Sequence, residues 1–307
     1  MNILFRALLL TALAVPTAHG DLGHEAGIEE MNKLIAANPG LPALYFQRAM
    51  NYLEVPQLAE ARADLEKALS LDAAYIPAAR EIARLDELDG RRAEAIAQLE
   101  KLIAGAPADA AFHIPACCEV LADFYLKEER NEQALAVLEK AIGLSEEINL
   151  DIYLLRGEAQ RRLGKLDERV RDLAAAQQKV KSFVLRIAWI EALIDAGRTA
   201  DALPEINKEI ESSRYKSSWL IRRARALLHD GKKAEAAADL DAALAEIELR
   251  MRPENPELSL LCDRALIHAL QGKTEDASRE LADAKARGAF QWTTRLVENV
   301  LAVAAKK

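Results

Sequence analysis

The residues best suited to metal or nucleophilic chemistry are five histidines and three cysteines, and their spacing decides what they can do. His113, His229 and His268 are isolated, with no second His three or four residues away, the separation that puts two imidazoles on one helix face. Cys117 and Cys118 are adjacent, which disfavours a bridge between them because disulfide geometry constrains both side chains; Cys262 lies far off. An odd number of thiols leaves at least one unpaired. All three therefore read as apolar packing residues of helices, and the adjacent pair lacks the Cys-x-x-Cys spacing of a redox site. A Gly-rich phosphate loop, a Gly-x-Ser-x-Gly elbow and a His-Glu-x-x-His pair are all missing from the sequence. Carboxylates are plentiful, but they share helix faces with Lys and Arg, where solvated ion pairs are the rule. The expectation is a protein that is not an enzyme and carries no cofactor.

The other two histidines, His19 and His24, lie beside a leader-like start. MNILFRALLLTALAVPTAHG has one basic residue, Arg6, then an apolar run from Ala7 to Val15 closed by Pro16. This is the order of a secretory signal peptide over residues 1–20. The run is too short to span a membrane, which takes roughly 20 residues. Cleavage is expected after Gly20, with Ala18 the alternative, and the product is expected to be exported and soluble, most simply to a periplasm. If the cut fell after Ala18, His19 would supply a terminal amine and imidazole, and with His24 a copper-type metal site; otherwise both are polar residues at the start of the chain.

The elements that must position any site are helices. Ala, Leu, Glu, Lys and Arg dominate a chain that is 51% hydrophobic and 29% charged, with only 13 Gly and 10 Pro. Ile76–Pro107 reads as two short amphipathic helices joined at Gly90, the second carrying Ala95, Leu99 and Leu102 on one face. The same small–large–small spacing recurs at Gly27/Met31/Leu34, Ala61/Leu65/Ala68, Ala134/Leu138/Ala141, Arg169/Leu173/Ala176, Ala202/Ile206/Glu209, Ala236/Leu240/Ala243 and Ala277/Leu281/Ala284. Successive first members are 34, 34, 39, 35, 33, 34 and 41 residues apart. The formal net charge of −8 and the lack of a basic stripe argue against a nucleic-acid partner.

A 34-residue period of this kind resembles the tetratricopeptide repeat. The resemblance implies an all-α fold: a right-handed superhelical solenoid of about seven helix-turn-helix pairs, starting near Pro42, Ile76, Pro115, Leu150, Phe183, Ser217 and Leu258. The solenoid is expected over 42–289, between capping helices at 21–41 and 290–307. Within each pair the eighth residue is small (Ala49, Ala83, Ala122, Gly157, Ala224 and Ala265, with Ile190 the departure), and the twentieth is Ala except at Arg169. Gly90, Gly164, Gly197, Gly231 and Gly272 occupy the turn between the two helices. The inter-repeat segments at 108–114 and 247–257 are longer than the pattern requires and read as surface insertions.

In the family, first helices line a concave groove through positions two, five, nine and twelve of each repeat. That implies a protein or peptide partner held by Phe46, Met50, Leu53, Arg80, Arg84, Glu119, Asp123, Glu158 and Arg161, with the arginines facing the carboxylates. Val184, Ile187, Ile194, Ile221, Leu228, Cys262 and Leu266 make the same positions more apolar later in the chain. The family's chaperone-binding clamp has Asn at position nine, where this chain has Met50, Arg84, Asp123 and Glu158, so chaperone tails are not supported as ligands. The alternative for these charges is that they only solvate an inner face.

Overall fold

The computed structural model describes residues 21–304 except 146–148, 253 and 290. The leader-like segment, with His19, lies outside the described residues. Sixteen α-helices and one 3-10 turn make up the described chain, which divides into two compact units, one through Lys181 and one from Ser182.

The first unit opens with α1 (Asp21–Ala37), followed by four pairs: α2 (Pro42–Glu54) with α3 (Leu58–Leu71), α4 (Ile76–Leu88) with α5 (Arg92–Gly105), α6 (Ile114–Lys127) with α7 (Asn131–Leu144), and α8 (Leu150–Arg162) with α9 (Leu166–Lys179). The second contains α10 (Phe183–Asp195) with α11 (Thr199–Ser212), α12 (Ser217–His229) with α13 (Lys233–Arg250), α14 (Leu258–Leu270) with α15 (Thr274–Ala286), and a closing α16 (Gln291–Ala304). Six of the seven expected first-helix starts coincide with the observed ones, and α6 begins one residue early. Pro at the first or second position of α2, α4 and α6 explains part of this, because its missing N–H would be unsatisfied there in any case.

Small residues set the closeness of each pair. Ala49 and Ala61, Ala83 and Ala95, Ala122 and Ala134, Ala224 and Ala236, and Ala265 and Ala277 are all completely buried. Repeat four solves the same problem differently. Arg169 replaces the alanine of its second helix and is buried, while the facing residue is Gly157, where an added Cβ would come 3.6 Å from the Arg169 Nε and 3.5 Å from Leu173. Both distances are ordinary van der Waals contact, so the arginine stem lies alongside Gly157 without filling the place of a Cβ. Large apolar residues such as Leu65, Leu99 and Leu138 then fill the layers between pairs, each contributing roughly 1.5–3 kcal/mol by leaving water.

The turn inside each pair is equally regular. The five expected glycines have φ between +67° and +80°, and the residue after each donates its N–H back five residues, as Arg91 does to the Asp86 carbonyl at 2.8 Å. This closes the helix carbonyls in the Schellman manner. Repeat three makes the same turn with Glu129 at φ +60°, a conformation an L side chain adopts at a cost of about 1–2 kcal/mol.

Both insertions acquire structure. Residues 108–113 form the 3-10 turn, packed against α4 and α6. The other is partly consumed by α13, which continues to Arg250 and leaves Leu249 89% exposed. In α16 Val297 is buried, Leu296 and Val300 pack against the same core, and Val303 is exposed.

Candidate peptide-binding face

In the first unit, α2 places Phe46, Met50 and Leu53 at spacings of four and three, so they share one face, and all three are half-buried. Phe46 packs edge-on against Tyr75, with ring centroids 5.7 Å apart. This geometry leaves a continuous, partly exposed apolar strip at one end of the unit.

Beyond it the charged residues are tied to one another. Arg80 donates through Nε and Nη2 to Oε1 of Glu81, at 3.0 and 2.7 Å, and Glu81 is 2% exposed. Arg84 lies 3.7 Å from the other Glu81 oxygen and 3.9 Å from Glu119 on α6, to which Asn149 donates at 3.1 Å. Burial raises the Glu119 carboxyl above the usual range, against the opposing charge of Arg84. The structure thus brings Arg84 and Glu119 together, as the sequence suggested. It pairs the other carboxylates elsewhere: Asp123 with Lys127 at 3.1 Å, and Glu158 with Arg161 and Arg162 at 2.8 and 2.7 Å. Lys127 also reaches Glu87 on α4 at 3.1 Å, and Arg162 donates to the Leu126 carbonyl. The ladder locks α4, α6 and α8 in register.

Sequence reasoning passed over several members of this face. Glu81 falls outside the groove positions of the repeat, yet it anchors both arginines. Asn149 was legible as a helix cap, and its Oδ1 does accept from the Asp151 and Ile152 N–H groups. Phe112, in the 3-10 turn, is 73% exposed and stacks on His113 with centroids 3.8 Å apart. Burial, then the charge of Arg80, pushes the His113 imidazole below its ordinary range, which favours the neutral ring.

In the second unit the apolar groove positions serve packing instead. Ile194, Ile221, Cys262 and Leu266 are buried, and Val184 is exposed. A second charge cluster takes their place. Glu191 on α10 lies 2.8 Å from Arg222 and also pairs with Arg225, whose other arm is 3.1 Å from Asp195. Arg222 sits over the Trp219 ring at 5.1 Å, and Trp219 meets the exposed Phe183 edge-on at 6.2 Å. Glu246 of α13 accepts from the Lys216 and Ser217 N–H groups and so caps α12, which lowers its carboxyl pKa despite partial burial. Arg250 covers the Tyr215 ring at 4.1 Å and approaches Glu246 and Glu257 at 3.5 and 3.8 Å.

Nucleophile chemistry is disfavoured where thiols occur. Burial pushes Cys117 up to about 12 and Cys118 up to about 11, so both stay protonated, and all three cysteines are free. Among the described residues no three His, Cys, Asp or Glu side chains converge as a metal site, and His24 lies on α1.

With this geometry in hand the relatives can be compared. Residues 42–75 and 116–148 match the tetratricopeptide repeat profile, and the helix pairs are similar in fold to solved structures of tetratricopeptide-repeat proteins. A tetratricopeptide repeat protein from Parabacteroides merdae aligns over 86% of this chain and 98% of its own, at 16% identity and a TM-score of 0.62. The C-terminal part of a repeat-containing protein from Cytophaga hutchinsonii aligns over 73% and 90%, at 18% identity and 0.54. Yeast Tom70 aligns over 93% of this chain and 59% of its own, at 15% identity and 0.52. No curated protein matches the chain by sequence.

Proposed function

We propose that this chain is an exported, non-catalytic scaffold that binds a protein or extended peptide on the first-helix face of its first unit. The observation that carries the reading is the half-buried strip of Phe46, Met50 and Leu53 on α2, with the Arg80–Glu81–Arg84–Glu119 cluster on the next two first helices, α4 and α6. Aromatic and aliphatic anchors dominate such interfaces, while flanking charges set orientation and partner choice. Asp123 and Glu158 lie on the first helices that follow, each already paired with a cation of its own helix, so they add polar contacts and no net acidic end.

The leader-like start supports export, and no helix among the described residues is long and apolar enough to cross a membrane. The intact mass of the secreted product tests this part: a chain beginning at Asp21 is expected, and a mass that retains Met1–Val15 contradicts it.

Binding is tested by capturing partners from the native extracellular or periplasmic fraction and measuring the affinity of one for defined variants. Phe46→Ala and Leu53→Asp should each weaken it about tenfold or more. Charge reversal at Arg80 is a poor probe, because it would strand the buried Glu81. Added salt should weaken the complex as well, since exposed charges are screened over about 10 Å at 0.1 M. Wild-type affinity in both variants would exclude this face.

A further inference from the structure

The first and last helices of the described chain are each half of a repeat. α1 holds the place of a second helix: Arg48 of α2 donates to Asn32 at 2.5 Å, as Arg223 of α12 donates to Asn207 of α11 at 3.0 Å. Yet α3, α5, α7, α11, α13 and α15 each pack against two first helices, whereas α1 packs mainly against α2. The face that the other second helices bury is open on α1. The first two members of the small–large–small triplet are buried in all seven repeats, while Gly27 and Met31 are half-buried and Leu34 is 39% exposed. α16 is the converse case. It packs on α14 and α15 as a first helix packs on the pair before it, and no second helix follows it among the described residues. Asn299, which stands 34 residues after Ala265 and so at the close-contact position, is exposed, as are Ala302 and Val303.

We propose that α16 of one molecule docks antiparallel on α1 of a second copy and completes a repeat between them. The seven pairs within the chain define what that face of α1 accepts, which is a first helix laid across the triplet. α16 is a first helix in need of such a partner. Charge favours the match. In an antiparallel pair the end of α16 lies beside the start of α1, which brings Asp21, Glu25, Glu29 and Glu30 in its first ten residues; Lys306 and Lys307 follow α16 in the sequence. Two α1 helices crossing each other would instead set Glu29 and Glu30, exposed near the helix middle, against their own copies. A preceding segment of the same chain fits less well. Residues 21–23, equivalent to the turn of the other repeats, are already helical in α1, so the chain makes no turn there that would lay a first helix back on it. The contact joins unlike surfaces, so a dimer keeps one free α1 and one free α16, and assembly proceeds past two.

This association uses neither the Phe46 strip nor the charge cluster of the first unit, so it does not rest on the peptide-binding reading. The test is sedimentation velocity of the secreted chain over about a hundredfold range of concentration. The mean mass should rise with concentration and pass that of a dimer. Leu34→Glu and Asn299→Glu should each hold the protein at monomer mass with unchanged circular dichroism. Leu249→Glu, at an 89% exposed position of α13, should assemble as wild type does. Mixing the Leu34→Glu and Asn299→Glu chains should restore association and stop it at a dimer, because one supplies the only intact α16 face and the other the only intact α1 face. A wild-type chain that stays monomeric throughout overturns the proposal. Dimers that persist in Asn299→Glu would assign α1 to symmetric pairing and overturn it as well.

Discussion

Asp263 is a residue held against the stability of its own fold. Its carboxyl is pushed up to about 6 in the folded chain, against about 3.9 in an unfolded one. The folded state therefore holds the proton more tightly, so the penalty is absent below about pH 4 and grows as pH rises through 6. Asp263→Asn should accordingly stabilise the protein by about 1–3 kcal/mol at pH 7 and give no gain at pH 4, as read from urea denaturation at the two pH values. A gain that is the same at both would mean that the effect is packing and not charge. The cysteines make the opposite point, since their chemistry is suppressed by place. With Cys117 and Cys118 completely buried and Cys262 4% exposed, a thiol reagent such as DTNB should label none of them within minutes in the native protein and all three after denaturation. Rapid labelling of Cys117 or Cys118 would restore a redox reading of the pair.

At the scale of the helix pair, the determining contact is between the eighth residue of one helix and the twentieth of the repeat. Ala236 is completely buried at that contact, facing the equally buried Ala224, and Lys233, three residues earlier, is exposed. Ala236→Leu should force the helices apart and cost about 1–3 kcal/mol, whereas Lys233→Leu should cost a few tenths. Equal urea midpoints would mean that α12 and α13 do not meet there. The Gly157–Arg169 pair puts a glycine beside a long buried side chain at the corresponding contact of repeat four. Glu246 shows how an insertion can be useful: the extension of α13 supplies Arg250 beside the carboxylate that caps α12.

At the scale of the whole molecule, packing joins neighbours in the chain. Within the first unit, the core around Leu99, Leu121 and Leu138 runs from α4 to α8, and a separate one around Leu65 joins α2, α3 and α4. Repeat arrays of this kind respond locally, because stability is close to a sum of repeat and nearest-neighbour terms. Leu138→Ala should therefore lower hydrogen-exchange protection in α6, α7 and α8 by about 2–5 kcal/mol and change α2 and α3 far less. Uniform loss across the first unit would show a single cooperative block instead.

What the sequence determined by itself was the repeat: its period, six of seven first-helix starts, the glycine turns and the small residues at close contacts. These are legible because each reflects an interaction between groups a few to about a dozen residues apart, so the constraint recurs as a spacing. It also named Arg84 and Glu119 as facing charges, since both follow from repeat position. Tertiary structure alone decided the rest. Asp123 turned to Lys127 and Glu158 to Arg161 and Arg162, because long charged side chains take the partner that their rotamers reach first. The apolar residues of the later repeats became core, since Ile221 and Leu266 are covered by neighbouring helices that no spacing identifies. Asp263 was invisible in the sequence for the same reason. A carboxylate's state depends on the charges and the water around it, and here those come from α10, α12, α13 and the loop at Glu257, brought together only by folding.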